Sequence, residues 1–565
     1  MNFRSSEIFT EEEKYFLEPF FTNLDKIVFA AKYLPSEVLG ALASRYSRST
    51  KGVRRLFWDE YIKPIILPNL EGADSKSQKE AEQMKRELVG FVDYLHQHGG
   101  WEAVVNSRRA RDFFAKWLAA YGDDSIAQMA GAHIFFEGIS NVAAKNLEDF
   151  RIGFAPLEKS TRYVLFNQKV DGKYLYLQEP DIMKSSYARE YTRLMNMLFD
   201  SYSISLEPLM KYLKKKFPKE ADQTDRGYDS TMMAKACDVL RYYLPAATLT
   251  NVGFFGVGQS FEYMLTKSFA SPLAELRQLA KLAQVEMNKV IPSLVERASS
   301  PRGKVYQKYV KNTEKILEKV SQQLVSGSDP EGGPTINTGP SVDLCEWDED
   351  AEDKIIASLL YKYANVGYQS IKYQVSSMSP KQKLDVIKKA VLLRQVRQHR
   401  LVRAFENTYY KFDIVANFGA YRDLHRHRML TQERQRFTTE LGYDVPEDLI
   451  RAKLQKPYID AAGKINKFYK KIKNKFPDAA QYVVLMGNRI RWYQWENLRE
   501  LGWETELRTG PQGHPDYRLV EHMKVNLVKE KHPALMQALK FVDFKDYDLA
   551  RRESEKKIDK KLGIA

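Results

Sequence analysis

Three consecutive residues, Arg426, His427 and Arg428, set two planar guanidinium groups around one imidazole. Paired N–H donors of this kind match the oxygens of phosphates and carbonyls. Glu433, Gln435 and Arg436 follow closely, and later Asn497 precedes Arg508, with Arg518 ten residues further on. A second group lies far upstream, in Leu157-Glu158-Lys159-Ser160-Thr161-Arg162-Tyr163, followed by Arg241 ahead of Leu244-Pro245. A carboxylate, two hydroxyls and a guanidinium within five positions read as a short anion-gripping segment. Ser160 is not assigned as a nucleophile, because no histidine base stands beside it. His425 and His427 lack a third ligand at a recognisable spacing, so no metal is assigned. The bland alternatives are a basic surface patch for the triplet, a turn or cap for Ser160 and core packing for Tyr163.

The wider context is more specific. The run Asn417-Phe-Gly-Ala-Tyr-Arg-Asp-Leu-His-Arg-His-Arg428, together with Glu158-x-Ser160-x-Arg162-Tyr163, resembles the two halves of the signature of the flavin-dependent thymidylate synthases. The stretch Glu137 to Arg151 lies on the same lead-in without gaps, but its triplet place reads Asp149-Phe150-Arg151, which cannot neutralise a phosphate. The chain therefore reads as a divergent tandem duplication whose copies divide the work. The resemblance implies FAD as cofactor, NADPH and methylenetetrahydrofolate as co-substrates, and dUMP as substrate. It places Arg426, His427, Arg428, Glu433 and Asn497 on the cofactor. It places Glu158, Ser160, Thr161, Arg162, Arg241, Arg426 and Arg508 on the nucleotide. In the family one subunit gives the triplet, asparagine and late arginine, and a neighbour gives the Glu-x-Ser-x-Arg segment and early arginine. Here that implies one composite site per chain, a dead reciprocal site with Asp149-Phe150 and Gln435, and a homodimer acting as a pseudo-tetramer. Departures are Val257 in the first copy's asparagine place, Gln481 in the second copy's early-arginine place, Trp503 at a second flavin-contacting position, and Asp423 in place of a glutamine.

The elements that must position these groups are mostly helical. Gly303–Val325, Glu275–Ala298 and Pro380–Asn407 have helical periodicity, and Asp229–Tyr243 reads as a helix capped by Asp229. Arg162–Phe166 and Lys173–Leu177 read as strands by alternation and aromatic content. The expected fold is α+β: two tandem domains, each a mixed sheet with flanking helices. The first spans 1–325, a Gly/Pro/Ser-rich then acidic tether spans 326–353, and the second spans 354–565. Matches between the copies fall at offsets of 363 − 46 = 317, 428 − 151 = 277 and 481 − 241 = 240. The falling offset puts insertions in the first copy, around 73–88 and 180–231.

Bulk properties bound the partners. The 565 residues carry 88 Lys and Arg against 73 Asp and Glu, a net charge of +15 that favours anionic ligands. Two cysteines exclude a disulfide framework and fit a reducing cytoplasm. No stretch has the length of a charge-free membrane span, and the first residues do not read as a signal peptide. Nucleic acid is not an expected partner, since no RNA-binding motif is recognisable. Two other readings stay open: a flavoenzyme modifying another uracil nucleotide, and a non-catalytic nucleic-acid-binding protein on a decayed flavin fold. His133, His399, His514 and His522 have no supporting constellation and are read as structural.

Overall fold

The computed structural model describes residues 5, 7–71, 74–98, 127–150, 152–325, 339–549 and 551–563. Arg151 and residues 326–338 of the expected tether lie outside the described residues. The chain divides into two compact units. One comprises Met1–Asn196, Ala246–Glu331 and Lys475–Tyr482, and the other Met197–Pro245, Gly332–Asn474 and Val483–Ala565. The division thus departs from a cut at the tether alone: residues 197–245 belong with the later part of the chain, and 475–482 with the earlier part.

The first unit is built on a four-stranded sheet of β1 (Val28–Ala30), β2 (Gly131–Ser140), β3 (Phe154–Glu158) and β6 (Leu249–Val257), in the order β1-β2-β6-β3. A small hairpin, β4 (Lys169–Val170) with β5 (Lys173–Tyr174), turns through Asp171 and Gly172, both at positive φ, as a tight primed turn demands. Phe16, Phe20, Phe21, Phe29, Phe57, Trp58 and Phe135 fill the main core cluster of this unit. β2 is bulged between Phe136 and Ile139, with Gly138 at φ 67°. That position is one an L side chain rarely adopts.

The second unit repeats the plan. β7 (Ser341–Trp347), β8 (Tyr410–Asn417), β9 (Thr431–Arg434) and β10 (Arg489–Glu496) form a sheet in the order β7-β8-β10-β9. Tyr410, Phe412, Ile414 and Ala416 are buried at every second position of β8, the period a half-covered strand imposes. A helix follows the inner strand in each unit. Ser140 caps Asn141–Glu148 by accepting from Ala143 N, and Asn417 caps Phe418–Leu424 by accepting from Ala420 N, both at 2.9 Å. A helix also follows the central strand: Gly258–Ala270 after Val257, and Leu498–Arg508 after Asn497.

Several expectations are corrected. Every strand pairing among the described residues is antiparallel, where mixed sheets are expected. The reason is topological: β6 and β10 insert between strands that run opposite to them. Part of the expected tether is a strand, β7, whose Val342 is buried. Arg162–Phe166 forms no strand, because β3 stops pairing at Glu158 and the chain turns at Thr161–Tyr163. The helix expected over 229–243 is Asp225–Leu240, capped by Thr224 rather than Asp229, and Asp229 instead meets Lys214 at 2.7 Å. The 380–407 helix stops at Ala390. The 275–298 helix is two helices, broken before Pro292.

Candidate active site

The second unit gathers most of the residues singled out by type. A cavity of about 290 Å³ is lined by Arg426, His427, Arg428, Asn497 and Arg508, with Arg394, Arg397, Arg400, Arg499 and Trp503 among the other walls. The triplet lies in the link between the helix Phe418–Leu424 and β9. Asn497 and Arg508 are the N-cap and last residue of one helix, so a single rigid element presents both. The Asn497 carboxamide oxygen accepts from Glu500 N at 2.9 Å. His427 is buried between two partners. Arg508 Nε donates to its Nε2 at 2.9 Å, and its Nδ1 faces Glu500 Oε1 at 3.1 Å. These partners assign the proton to Nδ1 and leave Nε2 as acceptor. Arg394 and Arg499 are committed to carboxylates, Glu506 and Glu406. Glu433, on β9, is exposed and does not line this cavity.

Arg241 belongs to this same unit, not to the one that carries Ser160. Its side chain is 1% exposed and stands 3.5 Å from Asp423 Oδ2. Gly419 makes room for it: a Cβ there would lie 3.1 Å from the guanidinium. The Nε and Nη2 of Arg241 have no hydrogen-bond acceptor among the described residues. Asp516 is held below the usual carboxylate range: burial alone would raise it, but His514 and Arg241 outweigh that.

Behind the cavity wall, Lys524 is fully buried with Glu496 at 2.7 Å, Glu504 at 2.9 Å and Glu521 at 3.5 Å. Burial, followed by the charge of Glu504, pushes Glu521 up to about 8. Burial also raises Glu496 well above its ordinary value. One cation cannot neutralise three carboxylates, so the cluster holds protons at neutral pH. Nothing in the residue pattern marks it, since Lys524 looks like any helix lysine.

In the first unit, Ser160, Thr161 and Arg162 share one turn after β3. Arg162 N donates to Ser160 Oγ at 3.2 Å, and Ser160 N donates to Ser47 O at 2.9 Å. Thr161 is buried and Arg162 half-buried. Tyr163 is exposed rather than core, with the Arg48 guanidinium 5.5 Å from its ring centre. Glu158 is 2% exposed and bound to Lys145 at 2.9 Å, and Lys145 also meets Glu148 at 2.5 Å. That carboxylate is committed inside the unit. Val257 caps its helix with no side-chain bond, in the topological place Asn497 fills in the other unit.

The family model described as thymidylate synthase complementing protein matches residues 69–293 and 347–534. The chain belongs to the thymidylate synthase complementing protein family. Its two matched segments fit the repeated sheet order, and two tandem ThyX-like domains of α+β type account for both. A UPF0159 protein of Chlamydia pneumoniae is 37% identical over 551 residues, covering 97% of this chain and 98% of that protein. A UPF0159 protein of Thermoplasma acidophilum is 32% identical over 483 residues, covering 81% and 94%. A crystal structure of Thymidylate Synthase X from Helicobacter pylori with FAD and dUMP aligns at 17% identity and a TM-score of 0.27, over 36% of this chain and 99% of that one. No helix among the described residues is long and apolar enough to cross a membrane.

Proposed function

We propose that this member of the thymidylate synthase complementing protein family is an FAD-dependent enzyme that methylates dUMP to dTMP, with methylenetetrahydrofolate as carbon donor and NADPH as reductant. The observation that carries it is the convergence of Arg426, His427, Arg428, Asn497 and Arg508 on one cavity. The donor set fits an anionic dinucleotide: guanidinium forks, a helix-start asparagine and a histidine with an unprotonated Nε2. Bound there, FAD would supply hydride transfer. Arg426 and Arg428 would neutralise its pyrophosphate, and Asn497 would meet the ring with its amide. Arg508, held by His427, would direct its remaining N–H groups at a uracil carbonyl.

The nucleotide phosphate would be held by Ser160, Thr161 and Arg162 of the first unit, in a homodimer. Glu158 supports that turn from beneath through Lys145 instead of touching the ligand. The buried N–H groups of Arg241 suit a carbonyl or ribose oxygen. The Arg241–Asp423 pair also favours a second reading, an altered uracil nucleotide, because an acceptor-only carboxylate recognises a different hydrogen-bond edge from a glutamine.

An absorbance spectrum of the purified protein, followed by dUMP-dependent NADPH oxidation, tests the reading. Arg428→Ala should abolish bound flavin, while Arg162→Ala should keep flavin and weaken dUMP. Equal loss of both ligands in both variants would remove the division of labour. Turnover with UMP but not dUMP would favour the second reading.

A further inference from the structure

We propose that Arg397 and Arg400, laid against Trp503, form a subsite on the rim of the second unit's cavity for the phosphate monoester of a phosphorylated nucleotide. Both guanidiniums contact the same indole, with their central carbons 5.3 and 4.2 Å from its ring centre. Neither has a carboxylate partner among the described residues. Arg394 and Arg499, on the same cavity, are each bound to a glutamate. A guanidinium stacked on an aromatic face keeps its N–H edge outward, where it matches a tetrahedral anion. Two such forks beside one ring suit a dianionic group better than a single charge.

The segment that carries them has no regular structure, yet its backbone is tied down on both sides. Lys540 Nζ donates to Val391 O at 2.5 Å, and Arg499 Nε donates to Leu401 O at 2.7 Å. Arg394, on the same segment, donates to His399 O and Ala538 O, both at 2.5 Å, and grips Glu506 with both Nη atoms. A loop spanning 391–401 is thereby fixed by three cations, while the two between them face outward. Such preorganisation lowers the ordering cost of binding.

The choice of nucleotide rests on the FAD and NADPH reading above; the phosphate chemistry does not. The probe pair is NADP⁺ and NAD⁺, which differ by one phosphate monoester, titrated calorimetrically into the full chain and into Arg397→Gln/Arg400→Gln. The expected result is an affinity loss of about tenfold or more for NADP⁺, unchanged NAD⁺ binding, and unchanged bound flavin. An Arg397→Lys/Arg400→Lys variant should recover part of the loss. Equal weakening of both nucleotides, or no change in either, would overturn the subsite. So would loss of flavin, which would give the forks to the cofactor's pyrophosphate. Inorganic phosphate binding as tightly as NADP⁺ would mark an isolated anion site and overturn the nucleotide assignment. A wild-type chain without flavin would sink the proposed function while leaving the NADP⁺ and NAD⁺ comparison decisive here.

Discussion

Arg508 Nε donates to His427 Nε2 at 2.9 Å, joining the last residue of the helix Leu498–Arg508 to the middle of the arginine-histidine-arginine triplet. The imidazole is therefore a spacer that fixes an arginine, with Glu500 fixing the imidazole in turn. His427→Ala should release Arg508 and lower flavin and nucleotide affinity together, by about tenfold for each 1.4 kcal/mol lost. Glutamine at 427 retains an acceptor and should restore part of the loss. Bound-flavin absorbance and nucleotide titration of the two variants check this. Unchanged affinity in His427→Ala would remove the spacer role.

Gly419 is crowded by a neighbour and not constrained by its own backbone. A Cβ at this position would stand 3.1 Å from the buried Arg241 guanidinium. Gly419→Ala should cost about 1–3 kcal/mol by overpacking, read as a lower thermal midpoint. Arg241→Met in the same chain should recover part of it, since a flexible thioether can yield. Destabilisation of equal size in both backgrounds would break the link between the two positions.

Part of this cavity was legible because its polar residues lie close together in the chain and are tied to helix ends: the triplet follows the helix Phe418–Leu424, and Asn497 and Arg508 bound the helix Leu498–Arg508. The matched offset of 277 reappears as the cap pair Ser140 and Asn417, and the offset of 240 as Val257 and Asn497. Caps tie sequence directly to backbone geometry, so they survive divergence in the reading. What stayed hidden depends on tertiary partners. The loop after Ala390 has helical periodicity, but Arg394, Lys540 and Arg499 bind its carbonyls and outweigh that propensity. Arg162–Phe166 has strand composition, but the Ser160 hydroxyl captures Arg162 N and starts a turn. The buried clusters of Lys524 and Lys145 carry no sequence signal, because burial alone distinguishes them from surface pairs.

Lys524 forms ion pairs with three buried carboxylates, Glu496, Glu504 and Glu521. Lys524→Met should leave those acids uncompensated and cost about 3–5 kcal/mol, measured by urea unfolding. Combining it with Glu504→Gln, the carboxylate most firmly held in its charged form, should return a substantial share. A double variant no more stable than Lys524→Met would show that the charge imbalance is not the cause.

Buried carboxylates with raised pKa values, three of them within the neutral range, give a pH dependence of stability. Glu521 is raised to about 8, Glu7 to about 7 and Asp444 to about 6, each by burial first and by a neighbouring carboxylate second. Each keeps its proton in the folded chain at a pH where the unfolded chain has ionised. The folded state then binds more protons, so stability is fullest below the unfolded carboxylate range and falls as pH rises. The urea midpoint should decline between about pH 5 and pH 9. Glu521→Gln should flatten the upper part of that decline, and a midpoint that climbs across this window would contradict the proton binding.

Glu158 separates support from contact. Its carboxylate is 2% exposed and bonded to Lys145, one position before Lys159 and two before Ser160. A ligand-binding acid would change affinity when neutralised, whereas a strut changes stability. Glu158→Gln leaves Lys145 with one carboxylate and should lower the thermal midpoint, with a cost of about 1–3 kcal/mol. The dUMP affinity of the folded fraction should stay within about twofold of wild type, a difference of about 0.4 kcal/mol. Arg162→Ala should show the reverse, a near-normal midpoint and weak dUMP binding. If Glu158→Gln instead loses dUMP at an unchanged midpoint, the acid reaches the nucleotide and the buried pair with Lys145 must open on binding.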